Sequence, residues 1–330
     1  MVTRERNAAI TATGVFTVVV LLLLRCSESN QPISWSDTEM LRIEKLVDSV
    51  SSTRMFANLL NIARNRHPTN DSVVMVDRIF PDIFSEFRSC GLEIFSDQFY
   101  GQNHPEIINI YALKQGSDTA ASPVVLTAHW DAVLGGPGAD DNASGCAALL
   151  ETAKVLSDVP LRRSVLFIMF AIEEWGYFGS YAHMKRFHDQ PPHILINLDC
   201  IAYTTRHQQH YPLTGFPSTG DFIMIAGLER DREFAYRFCD VIDRFIPQLP
   251  YYCLIEDEEL ANNPILENLQ HSDHMVFWEQ KQPAFFLTDT GPMRNPNYHK
   301  PTDLIATLDL DFLRKVTAAT VAFVYTEARR

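Results

Sequence analysis

The chain has 330 residues, 46% of them hydrophobic, which is enough to build one large buried core. It carries 28 Lys and Arg against 41 Asp and Glu, a formal net charge of −13. This acidic balance argues against the basic, phosphate-seeking surface of nucleic-acid-binding proteins, so we expect no nucleic-acid partner.

The N-terminus has the pattern of an export segment. A short charged start precedes an uncharged run over residues 8–24, which Arg25 closes. Because the run is just short of a comfortable membrane span, a cleaved signal peptide and an uncleaved anchor both remain open. We therefore expect a signal peptide or membrane tether over residues 1–25, a linker over residues 26–38, and one domain over residues 39–330, outside the cytoplasm.

From about Trp35 onward, helical and extended hydrophobic patterns alternate along the chain. Helical spacing predicts helices over residues 39–67, 71–90, 146–156, 179–188, 232–245, 274–279 and 309–329. Extended patterns predict strands over residues 91–99, 107–114, 124–127, 164–172, 194–201, 222–226 and 283–287. Apolar strands separated by helices are typical of a parallel sheet with both faces covered. We predict an α/β fold: a single domain with a mostly parallel, mixed central sheet and helices on both faces.

Polar side chains follow four of these strands. In open α/β sheets, ligands gather beyond the carboxyl ends of the strands. The residues found there are His129 and Asp131, Glu173 and Glu174, Asp199, and His299. The sequence therefore points to one site at this edge, although each motif alone is also compatible with a solvated strand end.

The stretch PGADDNASG, residues 137–145, places Asp140 beside Asp141 in a short turn. Two neighbouring carboxylates raise each other's pKa unless a cation compensates their charge, which favours a metal site. Alternatively, Asp140, Asn142 or Ser144 caps the following helix, and Asp141 interacts with the helix dipole. Capping and metal binding are compatible when different residues serve each.

The candidate ligands are imidazoles and carboxylates, without thiolates. This combination suits zinc or another divalent metal in a catalytic site. Two metals need one bridging carboxylate and two terminal ligands each, and the set has the required five members: His129, Asp141, Glu174, Asp199 and His299. Of the pair Glu173-Glu174, one residue could bind a metal while the other faces bound water as general base. Asp131 would orient His129 by a hydrogen bond.

Five motifs occur together in the order and approximate spacing of a known family: AHWDAV, PGADDNASG, FAIEEWGYFGS, INLD and NPNYHKPTDL. On these motifs, residues 40–330 resemble the co-catalytic di-zinc aminopeptidase family, which includes bacterial leucyl aminopeptidase and, more distantly, glutamate carboxypeptidase II and glutaminyl cyclase. The resemblance implies a di-zinc exopeptidase with a sheet of about eight strands, two Zn²⁺ ions per chain, and a peptide or small aminoacyl substrate.

The resemblance also implies roles for individual residues. Asp141 would bridge the two ions, with His129 and Asp199 completing one site and Glu174 and His299 the other. Glu173 matches the general base and Asp131 the residue that supports His129. The peptide bond after the bridging aspartate is often cis in this family, which here is Asp141-Asn142.

One part of the family pattern is missing. Some members carry an oxyanion-stabilising tyrosine shortly before a Ser-Asp-His sequence, but here the residues before Ser272-Asp273-His274 are Asn-Leu-Gln-His. We predict His271 as the substitute, with Tyr298 and Arg294 as alternatives. Ser272-Asp273-His274 is not expected to be a serine triad, because consecutive residues cannot align as nucleophile, base and orienter.

Other features leave alternatives open. A glutaminyl cyclase acting at one zinc and a non-catalytic ectodomain are the rival functions, and the oligomeric state is not encoded in any recognisable pattern. Of six cysteines, Cys239 and Cys253 are close enough in sequence to pair, and buried free thiols are equally compatible. The sequons at Asn70 and Asn142 are interpreted as chance matches. Candidates for the substrate side-chain pocket are Trp175, Tyr177, Phe178, Phe216 and Tyr252.

Overall fold

The computed structural model describes residues 33–98, 108–208, 217–256 and 267–330. The predicted export segment with its tether at residues 8–24, the first part of the linker, and Phe216 lie outside the described residues. Within the described part of the chain, no helix combines the length and apolar character needed to cross a bilayer.

Eight helices are described, and most coincide with the predicted ones. They are α1 Asp37–Ser49, α2 Ser52–Ile62, α3 Phe80–Ser89, α4 Gly145–Leu156, α5 Phe178–Phe187, α6 Arg232–Phe245, α7 His274–Glu279 and α8 Leu310–Ala328. A helical turn at Ser72–Val74 and a wider turn at Met75–Ile79 lead into α3.

The single long helix predicted over residues 39–67 is wrong. The chain breaks at Val50, which adopts an extended conformation between α1 and α2. The side chain of Ser51 then accepts a hydrogen bond from the backbone amide of Arg54 and caps the second helix. The hydrophobic spacing continues across the break, so periodicity alone did not reveal it.

The strands are β1 Glu93–Gln98, β2 Ile108–Lys114, β3 Val124–His129, β4 Val165–Phe170, β5 Ile194–Leu198, β6 Thr205–Gln208, β7 Thr219–Gly220, β8 Ile223–Leu228, β9 Tyr251–Glu256 and β10 Ala284–Thr288. Eight of them form one sheet in the order β1-β2-β4-β3-β5-β10-β8-β9, and β6 pairs with β7. The pairs β4-β3, β3-β5, β5-β10 and β8-β9 are parallel, and the other three are antiparallel. The predicted α/β fold with a mostly parallel, mixed sheet is confirmed.

Both faces of the sheet are covered, but unequally. Alternate residues of β3 enter different cores: Val124 and Leu126 lie in the larger one, and Val125 lies in the smaller one. The larger core is closed by α1, α2, α3, α4, α6 and α8. The smaller core lies under α5 and α7.

The cysteines in the described part of the chain are free. These five residues are Cys90, Cys146, Cys200, Cys239 and Cys253. The alternative of a Cys239–Cys253 disulfide is therefore wrong, and the alternative of free thiols holds.

Candidate metal centre

The candidate site lies at the carboxyl edge of the parallel strands, where the sequence placed it. His129 is the last residue of β3, and Asp199 directly follows β5. The pair Glu173-Glu174 follows β4, which is the parallel neighbour of β3. Because β3 lies between β4 and β5, these side chains converge although they are far apart in sequence.

Asp141 stands at the middle of the cluster, with one carboxylate oxygen toward each of two histidines. Its Oδ1 lies 3.2 Å from His129 Nε2, and its Oδ2 lies 3.1 Å from His299 Nε2. Asp199 Oδ1 lies 3.5 Å from the same nitrogen of His129. Glu174 Oε2 lies 3.1 Å from the same nitrogen of His299. The structure thus brings the five predicted ligands together in two groups that share Asp141.

Several buried polar atoms of this cluster lack a hydrogen-bond partner in the described part of the chain. Both ring nitrogens of His129, Asp141 Oδ2, Glu174 Oε1 and Asp199 Oδ1 are buried and form no hydrogen bond with the described residues. Unsatisfied buried polar atoms are costly, and a bound cation would satisfy these ones. The ligand atoms in each group lie within 4.8 Å of one another, so the residues fit a pair of divalent ions.

The charges in the cluster are mutually dependent. Burial would raise the pKa of Asp141, but the neighbouring imidazoles of His129 and His299 hold that pKa well below its usual range. Burial opposes the charged form of His299, yet Asp141 and Glu174 raise its pKa to about 10. In the same way Asp199 and Glu173 outweigh burial and raise the pKa of His129. The carboxylates therefore stabilise positive charge where the two ions would bind.

Asp131 supports the site differently from the prediction. Its Oδ1 lies 3.6 Å from His129 Nδ1, which is too long for a hydrogen bond. Instead, its two carboxylate oxygens accept hydrogen bonds from the backbone amides of Glu173 at 3.1 Å and Glu174 at 3.3 Å. The predicted hydrogen bond to His129 is absent, and Asp131 holds the backbone of the glutamate pair.

Ser272 contributes a contact that the sequence analysis missed. Its hydroxyl donates to Asp199 Oδ2 at 2.7 Å and accepts a hydrogen bond from Asn197 Nδ2 at 2.7 Å. Thr127 in turn donates to Asn197 Oδ1 at 2.7 Å. This chain of bonds orients the Asp199 carboxylate. The sequence analysis considered the Ser-Asp-His run at residues 272–274 only as a possible serine triad, which it rejected.

Asp140 points away from the cluster, unlike its neighbour Asp141. Its Oδ1 accepts from the Ala202 amide at 3.0 Å and its Oδ2 from Asn295 Nδ2 at 2.8 Å. The side chain of Asn142 accepts from the amide of Gly145 at 2.9 Å, so Asn142 caps α4. The Asp141-Asn142 peptide bond is cis, as the resemblance implied.

The predicted oxyanion stabilisers lie in different surroundings. His271 and Tyr298 both line a pocket that contains Asp199. The Tyr298 ring also stacks on His299, with ring centroids 3.9 Å apart. Arg294 is buried elsewhere, where Nη1 donates to the carbonyl of Phe222 at 2.8 Å and the guanidinium covers the Phe222 ring. Arg294 is therefore a poor candidate, and the role of His271 stays a prediction.

The candidates for the substrate side-chain pocket do not form one surface. Trp175 and Phe178 are exposed, and Trp175 contacts the His67 ring. Tyr252 packs edge-on against Phe222. Tyr177 is half-buried and directly precedes α5. None of these four lines the pocket beside Asp199, whose apolar residues are Leu269, Phe286, Pro292 and Met293.

Comparison with protein families identifies the part of the chain that carries the site. Residues 109–230 match the family model described as Peptidase family M28. This part of the chain is therefore similar to members of that family. It contains four of the five candidate ligands, and the fifth, His299, lies beyond the matched residues.

Two curated proteins illustrate what this chain is similar to. The uncharacterized protein YfbL of Escherichia coli (strain K12) is 28% identical over 282 residues, which cover 78% of this chain and 83% of that protein. Aminopeptidase YwaD of Bacillus subtilis (strain 168) is 35% identical over 97 residues, which cover 28% of this chain and 21% of that protein. The chain thus matches about a fifth of the length of the named aminopeptidase.

Solved structures share the fold across nearly the whole chain. The LapA aminopeptidase of Legionella pneumophila matches with a TM-score of 0.71 and 20% identity, covering 93% of this chain and 79% of that one. The glutaminyl cyclase of Macrostomum lignano matches with a TM-score of 0.66 and 14% identity, covering 92% and 97%. The resemblance predicted from the motifs is confirmed, and both of its branches share this fold.

Proposed function

We propose that this protein is a zinc-dependent aminopeptidase of the M28 family that removes N-terminal residues from peptides outside the cytoplasm. The family match, the aminopeptidase YwaD and the fold of LapA support the reaction class. The uncharged run over residues 8–24 supports export or a membrane tether.

One observation carries the proposal: Asp141 presents its two carboxylate oxygens to two different imidazoles, at 3.2 and 3.1 Å. A carboxylate shared in this way is what a two-ion centre requires. His129 and Asp199 would hold one Zn²⁺, and Glu174 and His299 would hold the other. A single-ion site would not need the second pair of ligands.

The bound ions would act as Lewis acids that polarise the scissile carbonyl and lower the pKa of a water molecule. The protein's own contribution is the proton transfer. Glu173 is buried, and its Oε2 lies 3.9 Å from His129 Nε2, at the edge of the ligand set. Burial raises the pKa of Glu173, which suits a carboxylate that takes a proton from water and returns it to the leaving amine.

The remaining residues orient these groups. Asp131 fixes the backbone amide of Glu173, so the base stays beside the ligands. The acidic cluster favours the charged α-amine of a peptide N-terminus, which makes the site selective for chain ends. His271 or Tyr298 would donate a hydrogen bond to the carbonyl oxygen from the pocket beside Asp199.

The test is metal analysis and Leu-arylamide hydrolysis by the wild type and by Glu173→Ala. We expect about two equivalents of zinc in both proteins, as the shared aspartate requires. Activity should be lost only in the variant, because the ligands remain while the base is removed. A wild type that takes up no divalent metal would overturn the proposal and favour a non-catalytic ectodomain.

Glutaminyl cyclase activity is the second candidate, favoured by the fold shared with the Macrostomum lignano enzyme. The second ligand pair argues against the cyclase. Glu174 Oε2 and His299 Nε2 lie 3.1 Å apart, next to Asp141. Cyclisation of a peptide with N-terminal Gln, without hydrolysis of Leu-arylamide, would decide for the cyclase.

A further inference from the structure

The loop that carries Asp141 is held by a buried arginine from a distant part of the chain. Arg66, fully buried after α2, directs its guanidinium at backbone carbonyls of this region. Its Nε donates to Trp130 O at 2.9 Å, and its Nη2 donates to Gly138 O at 2.8 Å and to Asp141 O at 3.3 Å. Its Nη1 donates to Pro137 O. One side chain therefore bonds the end of β3 and the loop on both sides of Asp140.

A buried carboxylate holds the opposite side of the same loop. Asp303 accepts hydrogen bonds from the backbone amide of Asp140 at 3.0 and 3.2 Å, and from the amide of Asp141 at 3.1 Å. Its side chain is almost fully buried. Carbonyls of the loop thus face the guanidinium cation, and amides of the loop face the carboxylate anion.

Gly138 makes this arrangement sterically feasible. Its φ is +55°, a conformation that favours glycine. A Cβ at this position would lie 2.1 Å from Asp141 O and 2.9 Å from Arg66 Nη2. The loop backbone therefore packs directly on the guanidinium, and no side chain can separate them.

We propose that Arg66 and Asp303 are positioning residues that set the metal affinity of the centre by fixing the backbone of Asp141. The inference rests on the ligand role of Asp141 in the proposed function. Neither residue would touch an ion or the substrate. Because Asp141 serves both ions, loosening its backbone should weaken both metal equivalents together, whereas loss of a terminal ligand should weaken one.

The experiment is a titration of metal-free protein with zinc alone, in competition with a chelator. Arg66→Lys keeps the positive charge but cannot donate to four carbonyls in a fixed fork. We expect affinity for both equivalents to fall about 10- to 100-fold, the range found when partners that support metal ligands are changed. Saturating zinc should still give two equivalents.

Arg237→Lys is the matched control. Arg237 is also buried, but its guanidinium bonds Glu327 between α6 and α8, away from the loop. Its substitution should lower thermal stability and leave zinc affinity unchanged. Asp303→Asn is the second variant, because its amide group would meet the loop amides donor to donor; it should lower zinc affinity as Arg66→Lys does.

Each outcome has one consequence. Lower affinity in Arg66→Lys or Asp303→Asn, with wild-type affinity in Arg237→Lys, supports the inference. Unchanged affinity in both loop variants, or an equal loss in Arg237→Lys, overturns it while the proposed function stands. If Arg66→Lys does not fold, Asp303→Asn alone decides. A wild type that binds no zinc contradicts the proposed function itself.

Discussion

Neighbouring residues at this centre have different surroundings although their chemistry is the same. Asp140 and Asp141 are adjacent carboxylates, but Asp140 accepts bonds from Ala202 and Asn295, whereas Asp141 faces two imidazoles. The two charges are compatible because each has its own partners. The side chain of Asn142 accepts the hydrogen bond from the first amide of α4. Helix capping and metal binding therefore involve different residues of the same loop.

The Ser272 hydroxyl offers a test at the same scale. Ser272→Ala removes the donor to Asp199 Oδ2, and the Asp199 carboxylate then loses its fixed orientation. We expect about tenfold weaker binding of one zinc equivalent, the one held by Asp199 and His129, with the other unchanged. Isothermal titration of metal-free protein measures both.

Thr320→Val is the control for Ser272→Ala. Thr320 is a buried hydroxyl in α8 that bonds only the Val316 carbonyl among the contacts described, far from the metal ligands. It should leave both zinc equivalents unaffected. Equal weakening of both equivalents in Ser272→Ala would contradict the assignment of Asp199 to one site.

At the scale of elements, a buried ion cluster joins the last helix to the rest of the domain. Glu327 near the end of α8 is fully buried and accepts bonds from Arg237 of α6 at 2.9 and 2.8 Å. It also contacts His193, just before β5, at 3.0 Å. The cluster therefore connects two helices and a central strand at the edge of the sheet opposite to the metal centre.

Glu327→Gln should destabilise the protein by about 3 kcal/mol, because it removes the buried counter-charge of Arg237 and leaves only the exposed Glu233 beside the guanidinium. Urea unfolding of the metal-free protein measures the change. Asp311→Asn breaks the exposed pair with Lys315 and should cost less than about 1 kcal/mol. Similar losses of unfolding free energy in the two variants would contradict the expectation that the buried ion pair matters more for stability than the exposed one.

At the scale of the whole molecule, the stability contributed by the smaller core should depend on pH. The smaller core contains a titratable group, His183 of α5, which packs against the rings of Phe170, Phe187 and Phe277. Burial lowers its pKa from 6.5 to about 4. The native state therefore keeps His183 neutral at pH values where the unfolded chain would protonate it.

This shift predicts a stability change with a definite sign. Since the folded pKa lies below the unfolded one, the His183 contribution is complete above about pH 6.5. It is lost as the pH falls from there toward about 4, amounting to roughly 2 kcal/mol between pH 7 and pH 5.

The variant His183→Phe isolates this contribution, because it keeps an aromatic ring in the core and removes the proton-binding site. Denaturant unfolding of metal-free protein at pH 7, 6 and 5 should show a smaller loss of stability in the variant than in the wild type. Parallel losses in the two proteins would contradict the assignment to His183.

The fold was largely predictable because its strands are apolar runs and its helices have strong periodicity. α6 and α7 have the predicted bounds, and most strands lie within two residues of prediction. The strand β9 at Tyr251–Glu256 was missed, since it lies at the edge of the sheet and pairs only with β8. Its pattern mixes aromatic, thiol and charged residues, so it lacks the apolar signature of a central strand.

The sequence alone determined which residues assemble at the centre. The ligands follow strand ends, and the parallel order of a twisted sheet brings such ends together whatever their distance along the chain. The two adjacent acidic pairs were visible as motifs because their charges need compensation. Charges at strand ends and in adjacent pairs therefore indicated the cluster, and the resemblance to a known family assigned the individual roles.

Only the tertiary structure decided how those residues are held. Arg66 lies in none of the quoted motifs, and the motifs that contain Asp303 and Ser272 do not mark these two residues as partners of the ligands. Their contacts are to backbone groups and carboxylates from distant parts of the chain. Likewise, Asp131 was assigned to His129 by spacing, but packing directs it to the amides of Glu173 and Glu174. Hydrogen bonds depend on directions that are fixed only when the loops pack together, and one-dimensional spacing does not contain them.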